Sequence, residues 1–245
     1  MPSLAVIIPV YNEGKNIRPV LQGLHAAVSE PFQVLVVYDF DEDDTLPVAR
    51  ELAQQLGLDL HLVKNRFGRG ALNAIKTGLL ESESDYMIVT MADLSDPPEV
   101  INALLAKARQ DKADLVCASR YMRGGRQSGG PLLKKLLSRA AGVSLYYLTS
   151  LPTHDVTNSF KLYSRDVIRS VPIASEGGFE LGMELTIKAH YSGFKVAEVP
   201  THWTDRTDGE SRFRLFQWLP HYLRWYFLAL RLEVGRRLGL GHGPR

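Results

Sequence analysis

A run of oxygen-bearing side chains follows an apolar stretch near the middle of the chain. Residues 87–98 read MIVTMADLSDPP, and the apolar beginning is typical of a strand buried on both faces of a sheet. Asp93 and Asp96 then precede two prolines that end the strand. Oxygen is the hard ligand that Mg²⁺ and Mn²⁺ prefer, so the stretch predicts a divalent-cation site. An acidic turn that begins the next helix is the structural alternative.

Two further charged residues follow predicted strands in the same way. Asp39 comes after the apolar run 33–37, and Arg120 comes after the run 114–119. The carboxyl ends of parallel strands meet at one edge of a sheet, where ligands bind in open α/β folds. We therefore expect Asp39, Asp93 and Arg120 to lie along one edge. The acidic residues at 39–44 repel one another unless cations or helix N-terminal amides offset their charge.

The elements that position these residues alternate between strands and helices. Short apolar runs predict strands at 4–9, 33–37 and 60–64, from Met87, and at 114–119. Amphipathic runs predict helices at 16–28, 45–55, 71–80 and 98–110. Successive strands fall roughly 30 residues apart, as right-handed βαβ units require. The sequence predicts an α/β fold with a mostly parallel central sheet flanked by helices.

The second half of the chain has a less regular pattern. Residues 123–130, RGGRQSGG, predict a flexible basic loop, and an amphipathic helix follows at 132–148. Asp155 precedes an alternating strand, and Glu184 opens a helix that continues to residue 189. Residues 195–200 predict a last strand, and a polar loop of mixed charge follows from Thr201.

The tail has a different composition from the rest of the chain. Residues 213–234 are rich in aromatic and aliphatic side chains but include Arg224 and Arg231. A helix that spans a bilayer needs about 20 largely uncharged residues, so we expect an amphipathic helix lying in the membrane interface. A helix packed on the domain or against a second subunit is the alternative. We accordingly divide the chain into a domain at 1–212 and a tail at 213–245.

Composition excludes several classes of protein. The formal net charge of the 245 residues is +2, which argues against general nucleic-acid binding. The single cysteine, Cys117, excludes an internal disulfide and a cysteine-based zinc site. The N-terminus enters a strand pattern at Leu4, so we expect no signal peptide.

Taken together, the motifs carry a family pattern. They are VIIPVYNE, VVYDFDEDDT, RFGRGALNAIKTGL, MADLSDPPE, DVTNSFKLY, GFELGMELTIKAHYSGFKVAEVP and DRTDGES. In order and spacing they resemble the family 2 glycosyltransferases of the GT-A fold, and within them the polyprenyl-phosphate (dolichyl-phosphate) mannose and glucose synthase group. The resemblance covers almost all of residues 4–212.

The resemblance implies a donor site in the amino-terminal half. Pro9, Tyr11 and Glu13 match the turn that lines the base and ribose of a nucleotide-diphosphate sugar. Asp39 matches the acidic residue on the nucleobase side. Carboxylates suit these positions because they accept the N–H and O–H donors of base and ribose.

The resemblance also implies a phosphate and metal site. Asp93 matches the last acid of the D-x-D motif, which binds Mg²⁺ or Mn²⁺, with Ser95 or Asp96 completing the shell. Arg120 matches a basic residue near the phosphates. The residues that match the loop closing over the donor and acceptor phosphates are Arg206, Ser211 and Arg212.

Three positions depart from the family pattern. Met91 stands where the first aspartate of D-x-D is usual, and a thioether is too soft to replace a carboxylate on Mg²⁺. Tyr38 stands where a second aspartate is usual, and Asp44 replaces a glycine. Whether the donor is UDP- or GDP-linked therefore stays open.

The implied reaction is an inverting transfer of the sugar to polyprenyl phosphate or to a lipid-linked or polysaccharide acceptor. A phosphate acceptor is already anionic and needs no strong base, whereas a hydroxyl acceptor needs one, for which Glu184 and the substrate-side Asp155 are candidates. Glu184 has a structural alternative as a helix-capping residue. The implied location is peripheral, on the cytoplasmic side of the membrane, with a homo-oligomer contact as the other use of the tail.

The sequence leaves two other functions as alternatives. A sugar-nucleotide-forming nucleotidyltransferase usually has a glycine-rich loop after its first strand, and VYNEGKN is not such a loop. A catalytically weak nucleotide-sugar-binding or membrane-scaffolding subunit is motivated by Met91, while the retained Asp93 and Arg120 argue against it.

Overall fold

The computed structural model describes residues 2–205 and 215–239, which contain nine strands and eight helices. The strands are β1 (Leu4–Pro9), β2 (Phe32–Tyr38), β3 (Asp59–Lys64), β4 (Tyr86–Val89), β5 (Leu115–Ser119), β6 (Arg126–Ser128), β7 (Lys161–Ser164), β8 (Val196–Pro200) and β9 (His202–Thr204). The helices are α1 (Gly14–Ala27), α2 (Thr45–Leu56), α3 (Ala71–Glu81), α4 (Val100–Asp111), α5 (Leu132–Leu148), α6 (Arg165–Ser170), α7 (Leu181–Tyr191) and α8 (Leu215–Arg237).

Seven of the strands form one twisted central sheet in the order β3-β2-β1-β4-β7-β5-β8. β7 runs antiparallel to both of its neighbours, β4 and β5, and the other pairs are parallel. The prediction of a mostly parallel α/β sheet is confirmed.

Helices cover both faces of this sheet, which is why strands such as β1 and β5 are buried along their whole length. Successive side chains of a strand point to opposite faces. Leu4, Val6 and Ile8 of β1 therefore pack with α1, α2 and α4, whereas Ala5 and Ile7 pack with α3, α6 and α7. The sheet is a rigid core whose carboxyl edge carries the loops.

Two predicted loops contain strands instead. β6 lies within the glycine-rich segment 123–130 and pairs in parallel with β9, which lies in the polar segment after Thr201. Each strand is only three residues long, and the partners are 76 positions apart in register, from Arg126 to His202. Three residues are too few to show the alternation of apolar and polar side chains that marks a strand, so only the pairing in the structure identifies β6 and β9. α6 was also missed; it begins directly after β7, where Ser164 caps it by accepting the Val167 N–H.

The tail helix α8 is attached to the domain along one face. Trp225 and Ala229 are buried in a third cluster that includes Leu145 of α5 and Met183 of α7. Packing on the domain, the alternative for the tail, is therefore correct for this face. The opposite side of α8 remains exposed at Leu223, Phe227 and Val234. Within residues 2–205 and 215–239, no helix combines the length and the apolar character needed to cross a bilayer.

Candidate functional site

The carboxyl ends of β1 and β4 form the centre of the site. The chain continues from β1 through β2 to β3 on one side, whereas β7, β5 and β8 lie on the other side of β4. At such a switch in strand order the following loops diverge and leave a crevice, which is where open α/β sheets bind ligands. The loops after β1, β2, β4 and β5 all emerge at this edge because those strands are parallel.

The acidic residues after β2 shape the loop after β1. Asp43 accepts the Asn12 backbone N–H at 3.0 Å, and Asp44 accepts the Gly14 N–H at 2.9 Å. Asn12 has a φ of 53°, a left-handed conformation that asparagine tolerates. Backbone amides therefore offset much of the predicted acidic repulsion. Sequence reasoning singled out this acidic run but missed its partner, which lies about 30 residues earlier in the chain.

The donor-side residues predicted after β1 lie together at this edge. Pro9 is the buried last residue of β1, whereas Tyr11 is 39% exposed with its ring edge against Phe40 at a centroid distance of 5.4 Å. Glu13 is the N-cap residue of α1 and accepts a hydrogen bond from Asn16 Nδ2 at 2.8 Å. The exposed aromatic ring of Tyr11 offers a stacking surface, and Pro9 fixes the backbone that leads to it.

Asp39 ties the loop after β2 to the loop after β3. Its Oδ1 accepts from Asn65 Nδ2 at 2.8 Å, and its Oδ2 accepts from the Gly70 N–H at 2.9 Å. Gly70 has a φ of 118°, which only glycine adopts readily. Asp39 thus positions the Arg69 loop, whose guanidinium lies 5.6 Å from the Phe40 ring centroid.

The loop after β4 contains two buried oxygens that lack partners. Asp93 Oδ1 accepts the Ser95 N–H at 3.1 Å. Ser95 Oγ and Asp96 Oδ1 are buried, and neither has a hydrogen-bond partner in the part of the chain that the structure describes. Burial raises the pKa of Asp96 to about 7, and the negative charge of Asp93 adds to this shift. Buried oxygens of this kind normally have a partner, so the loop is chemically suited to a cation.

These residues fit a divalent ion only in part. Residues 2–205 and 215–239 contain no preassembled group of three or more His, Cys, Asp or Glu side chains able to hold a metal. Asp93, Ser95 and Asp96 nevertheless supply oxygen donors of the type that Mg²⁺ and Mn²⁺ prefer. An ion bound here needs further ligands from water or from a bound phosphate, which is usual for Mg²⁺.

Arg120, at the end of β5, forms a buried ion pair with Asp155. Arg120 Nε lies 2.7 Å from Asp155 Oδ2, and Nη2 lies 3.0 Å from Oδ1. The side chains are 10% and 0% exposed. Burial alone would raise the pKa of Asp155, but the charge and hydrogen bonds of Arg120 bring it below its usual value. Asp155 therefore orients Arg120, and its lowered pKa weakens it as a base. Its candidacy as a general base stays a prediction.

A buried lysine donates hydrogen bonds to the backbone of the segment 155–158. Lys161 is 0% exposed, and its Nζ donates to the carbonyl oxygens of Val156, at 3.3 Å, and Asn158. Burial lowers the pKa of Lys161. Sequence reasoning missed this residue; its only signal was a lysine inside an otherwise apolar strand.

α5 packs directly against the residue before Asp155. A Cβ on Gly142 would come within 2.2 Å of the His154 carbonyl oxygen, so only glycine permits this approach. The Tyr146 ring stacks on the His154 ring at 3.7 Å, and His154 Nδ1 lies 2.7 Å from Glu198 Oε1. α5 therefore packs against the residue next to Asp155, which pairs with Arg120.

Glu184 belongs to a different network. Its side chain is fully buried, forms an ion pair with Lys188 at 2.5 Å, and accepts the backbone N–H groups of Ala174 and Ser175. The structure does not bring it to Asp93 or Arg120 by any of these contacts. Glu184 therefore does not cap α7, whose N-cap is Glu180, but fixes the loop before that helix. Its role as a base stays a prediction. Arg206, Ser211 and Arg212 lie outside the described residues.

Comparison with known proteins identifies the family. The model for glycosyl transferase family 2 matches residues 5–171, which is more than half of the chain. The chain belongs to glycosyl transferase family 2. The resemblance drawn from the motifs is therefore confirmed.

Two curated relatives of this family member are similar over most of the chain. A dolichol-phosphate mannosyltransferase from Pyrococcus furiosus is 31% identical over 229 residues, covering 90% of this chain and 63% of the relative. A polyprenol monophosphomannose synthase from Mycolicibacterium smegmatis is 33% identical, covering 84% of this chain and 79% of the relative. The chain thus spans less than two thirds of the archaeal relative.

Solved structures share the fold of this family 2 chain. Glucosyl-3-phosphoglycerate synthase from Mycobacterium tuberculosis, in complex with Mn²⁺, UDP and glucosyl-3-phosphoglycerate, aligns with a TM-score of 0.66 at 18% identity. The same enzyme with Mg²⁺ and UDP gives 0.66 at 19% identity. Both alignments cover 96% of this chain and 80% of the solved chain. At such identities the likeness shows the fold, which is GT-A.

Proposed function

We propose that this family 2 glycosyltransferase transfers a sugar, with inversion, from a nucleotide-diphosphate sugar to polyprenyl phosphate. The main support for the proposal is that Ser95 Oγ and Asp96 Oδ1, beside Asp93, are buried without a hydrogen-bond partner among the described residues. They lie at the same edge of the sheet as Arg120. The names of the two curated relatives support a polyprenyl-phosphate acceptor and a mannosyl donor.

The donor diphosphate would lie between the loops after β1 and β4. Tyr11 and Glu13 face the base and ribose, and Asp39 holds the neighbouring loop in place. Asp93, Ser95 and Asp96 would hold Mg²⁺ or Mn²⁺, which when bound offsets the charge of the departing diphosphate. Arg120, locked by Asp155, presents a preorganised positive charge at the same edge.

The state of the candidate bases favours an anionic acceptor. Asp155 has its two oxygens bound to Arg120, and Glu184 has its two oxygens bound to Lys188 and to backbone amides. Neither is available to remove a proton from a sugar hydroxyl. Polyprenyl phosphate is already ionised at neutral pH and needs no such proton transfer.

The position of α5 suits a lipid acceptor. The exposed apolar side chains of this helix are Leu132, Leu133, Leu136, Leu137, Tyr147 and Leu148. Ser138 of α5 is hydrogen-bonded to the hydroxyl of Tyr121, the residue after Arg120. The helix that carries this apolar face thus contacts the residue next to Arg120, and we infer peripheral attachment at the cytoplasmic face of the membrane.

The test is a screen of UDP- and GDP-sugars for nucleotide release with Mn²⁺, Mg²⁺ or EDTA. We expect metal-dependent release that rises sharply when a polyprenyl phosphate is added, and loss of release in Asp93→Asn. Asp59→Asn is the matched control, because Asp59 lies at the opposite, amino end of β3. Nucleotide-sugar binding without release under all conditions would support the non-catalytic subunit instead. Full activity of Asp93→Asn with unchanged metal dependence would refute the metal assignment.

A further inference from the structure

A groove of about 430 Å³ lies along α8, outside the site described above. Ala174 and Lys188 line one side of it, and the other side is α8 itself. Arg224 and Arg231 of α8 stand seven residues apart, which is two helical turns or about 10 Å of rise. Phe227 lies between them in sequence and is 61% exposed.

The positive charge of this groove comes from the two arginines. Lys188 is compensated, because it pairs with Glu184 and donates to the Pro172 carbonyl oxygen. Arg224 and Arg231 have no carboxylate within salt-bridge distance among residues 2–205 and 215–239. The Arg224 guanidinium lies against the Trp225 ring, at 4.8 Å from its centroid. Two arginines without acidic partners beside an open groove are suited to an anion.

The groove borders the exposed apolar stripe of α8. Successive residues of a helix are about 100° apart around its axis. Leu223, Phe227 and Val234 therefore lie within about 40° of one another, and Arg224 and Arg231 lie about 40–100° from these three residues in one direction around the axis. The buried residues Trp225 and Ala229 face the domain. α5 contacts the other flank of α8, where Ser144 bonds to the Tyr226 hydroxyl at 2.9 Å. The arginines are thus on the flank of α8 that faces away from α5.

We propose that this groove is a binding site for the headgroup of an anionic phospholipid, separate from the acceptor site. The guanidinium groups of Arg224 and Arg231 bind the headgroup phosphate, while Leu223, Phe227 and Val234 enter the apolar layer beside it. A cationic flank next to an apolar stripe matches the order of phosphate and acyl chains in a leaflet. The proposal rests on the membrane attachment inferred above, but not on the transfer reaction.

The test compares vesicle flotation of the full chain at fixed low ionic strength. The vesicles are phosphatidylcholine alone and phosphatidylcholine with phosphatidylglycerol. We expect Arg224→Gln/Arg231→Gln to weaken binding to the anionic vesicles by roughly 30-fold, about fivefold for each arginine, with binding to phosphatidylcholine unchanged. The charge-matched control is Arg50→Gln/Lys112→Gln, which removes two exposed cations elsewhere and should bind like wild type.

A second variant separates a site from diffuse attraction. Arg224→Lys/Arg231→Lys keeps the charge but loses the bidentate geometry for phosphate, so we expect an intermediate loss of binding. Binding equal to wild type in either double variant, with circular dichroism showing intact folding, would overturn the proposal. So would equal wild-type binding to both vesicle types, or complete competition by free glycerol phosphate. Transfer to polyprenyl phosphate in detergent measures the proposed function separately, so the two failures are distinguishable.

Discussion

The Arg120–Asp155 pair gives the sharpest test of how the site is held. Asp155→Asn keeps the shape of the side chain but removes its charge, which leaves the 10%-exposed Arg120 without a counterion. The wild-type carboxylate also accepts the Arg120 backbone N–H at 3.0 Å and the Thr157 hydroxyl at 3.1 Å. An amide nitrogen placed toward the guanidinium would oppose one of these contacts.

The expected loss of stability follows from this burial. Removing one partner of a buried ion pair costs about 3–5 kcal/mol, because the remaining charge is buried alone. For a chain of this size each kcal/mol lowers Tm by roughly 2–4 °C, so we expect Asp155→Asn to lower Tm by about 6–20 °C. The double variant Arg120→Leu/Asp155→Leu should recover much of this loss, since it leaves no unpaired charge.

Thermal unfolding followed by circular dichroism measures this effect, and its pH dependence adds a second check. The pKa of Asp155 is lowered in the folded chain, so its stabilisation is present above the unfolded pKa of about 4 and is lost as pH falls through the folded value. The Tm difference between wild type and Asp155→Asn should therefore be constant from about pH 5 to 8 and narrow below about pH 4. A Tm of Asp155→Asn within about 1–2 °C of wild type at neutral pH, which is roughly the effect of 0.5 kcal/mol, would refute the reasoning. So would a double variant whose Tm is no higher than that of Asp155→Asn.

Variants at three further positions, with their controls, test the supports around the site. Glu184→Gln should lower Tm while leaving a measurable rate of transfer, because the contacts of Glu184 hold the loop before α7. Loss of transfer without any change in Tm would instead indicate that Glu184 acts as a base. Gly142→Ala should lower the free energy of unfolding by about 1–3 kcal/mol, because the new methyl group meets the His154 carbonyl oxygen. The control is Gly23→Ala in α1, where the nearest atom lies 3.4 Å from the new methyl group, so this variant should be neutral or stabilising. Chemical denaturation measures both. Lys161→Met should lower kcat more than it raises KM, and Lys161→Arg should rescue little, because the carbonyls around Nζ leave no room for a guanidinium; unaltered kcat in the Met variant would contradict a positioning role.

The periodic elements were accessible from the sequence because their signals are local. A β-branched run such as residues 4–9 buries on both faces only in a covered parallel sheet, and the helix at 132–148 was predicted with the bounds that the structure shows. Parallel strands then bring Asp39, Asp93 and Arg120 to one edge whatever the details of the loops. The family followed from the order and spacing of motifs along the same elements.

Partners distant in sequence were decided only by the tertiary structure. Nothing local indicates that Asp43 accepts the backbone N–H of Asn12, or that Asp155 pairs with Arg120, which lowers the pKa of Asp155. The two faces of α8 show the same limit: an amphipathic pattern reports which side chains avoid water, but protein and lipid satisfy that preference equally well. Packing of Trp225 against the domain assigns one face, because burial depends on what the rest of the chain places opposite it.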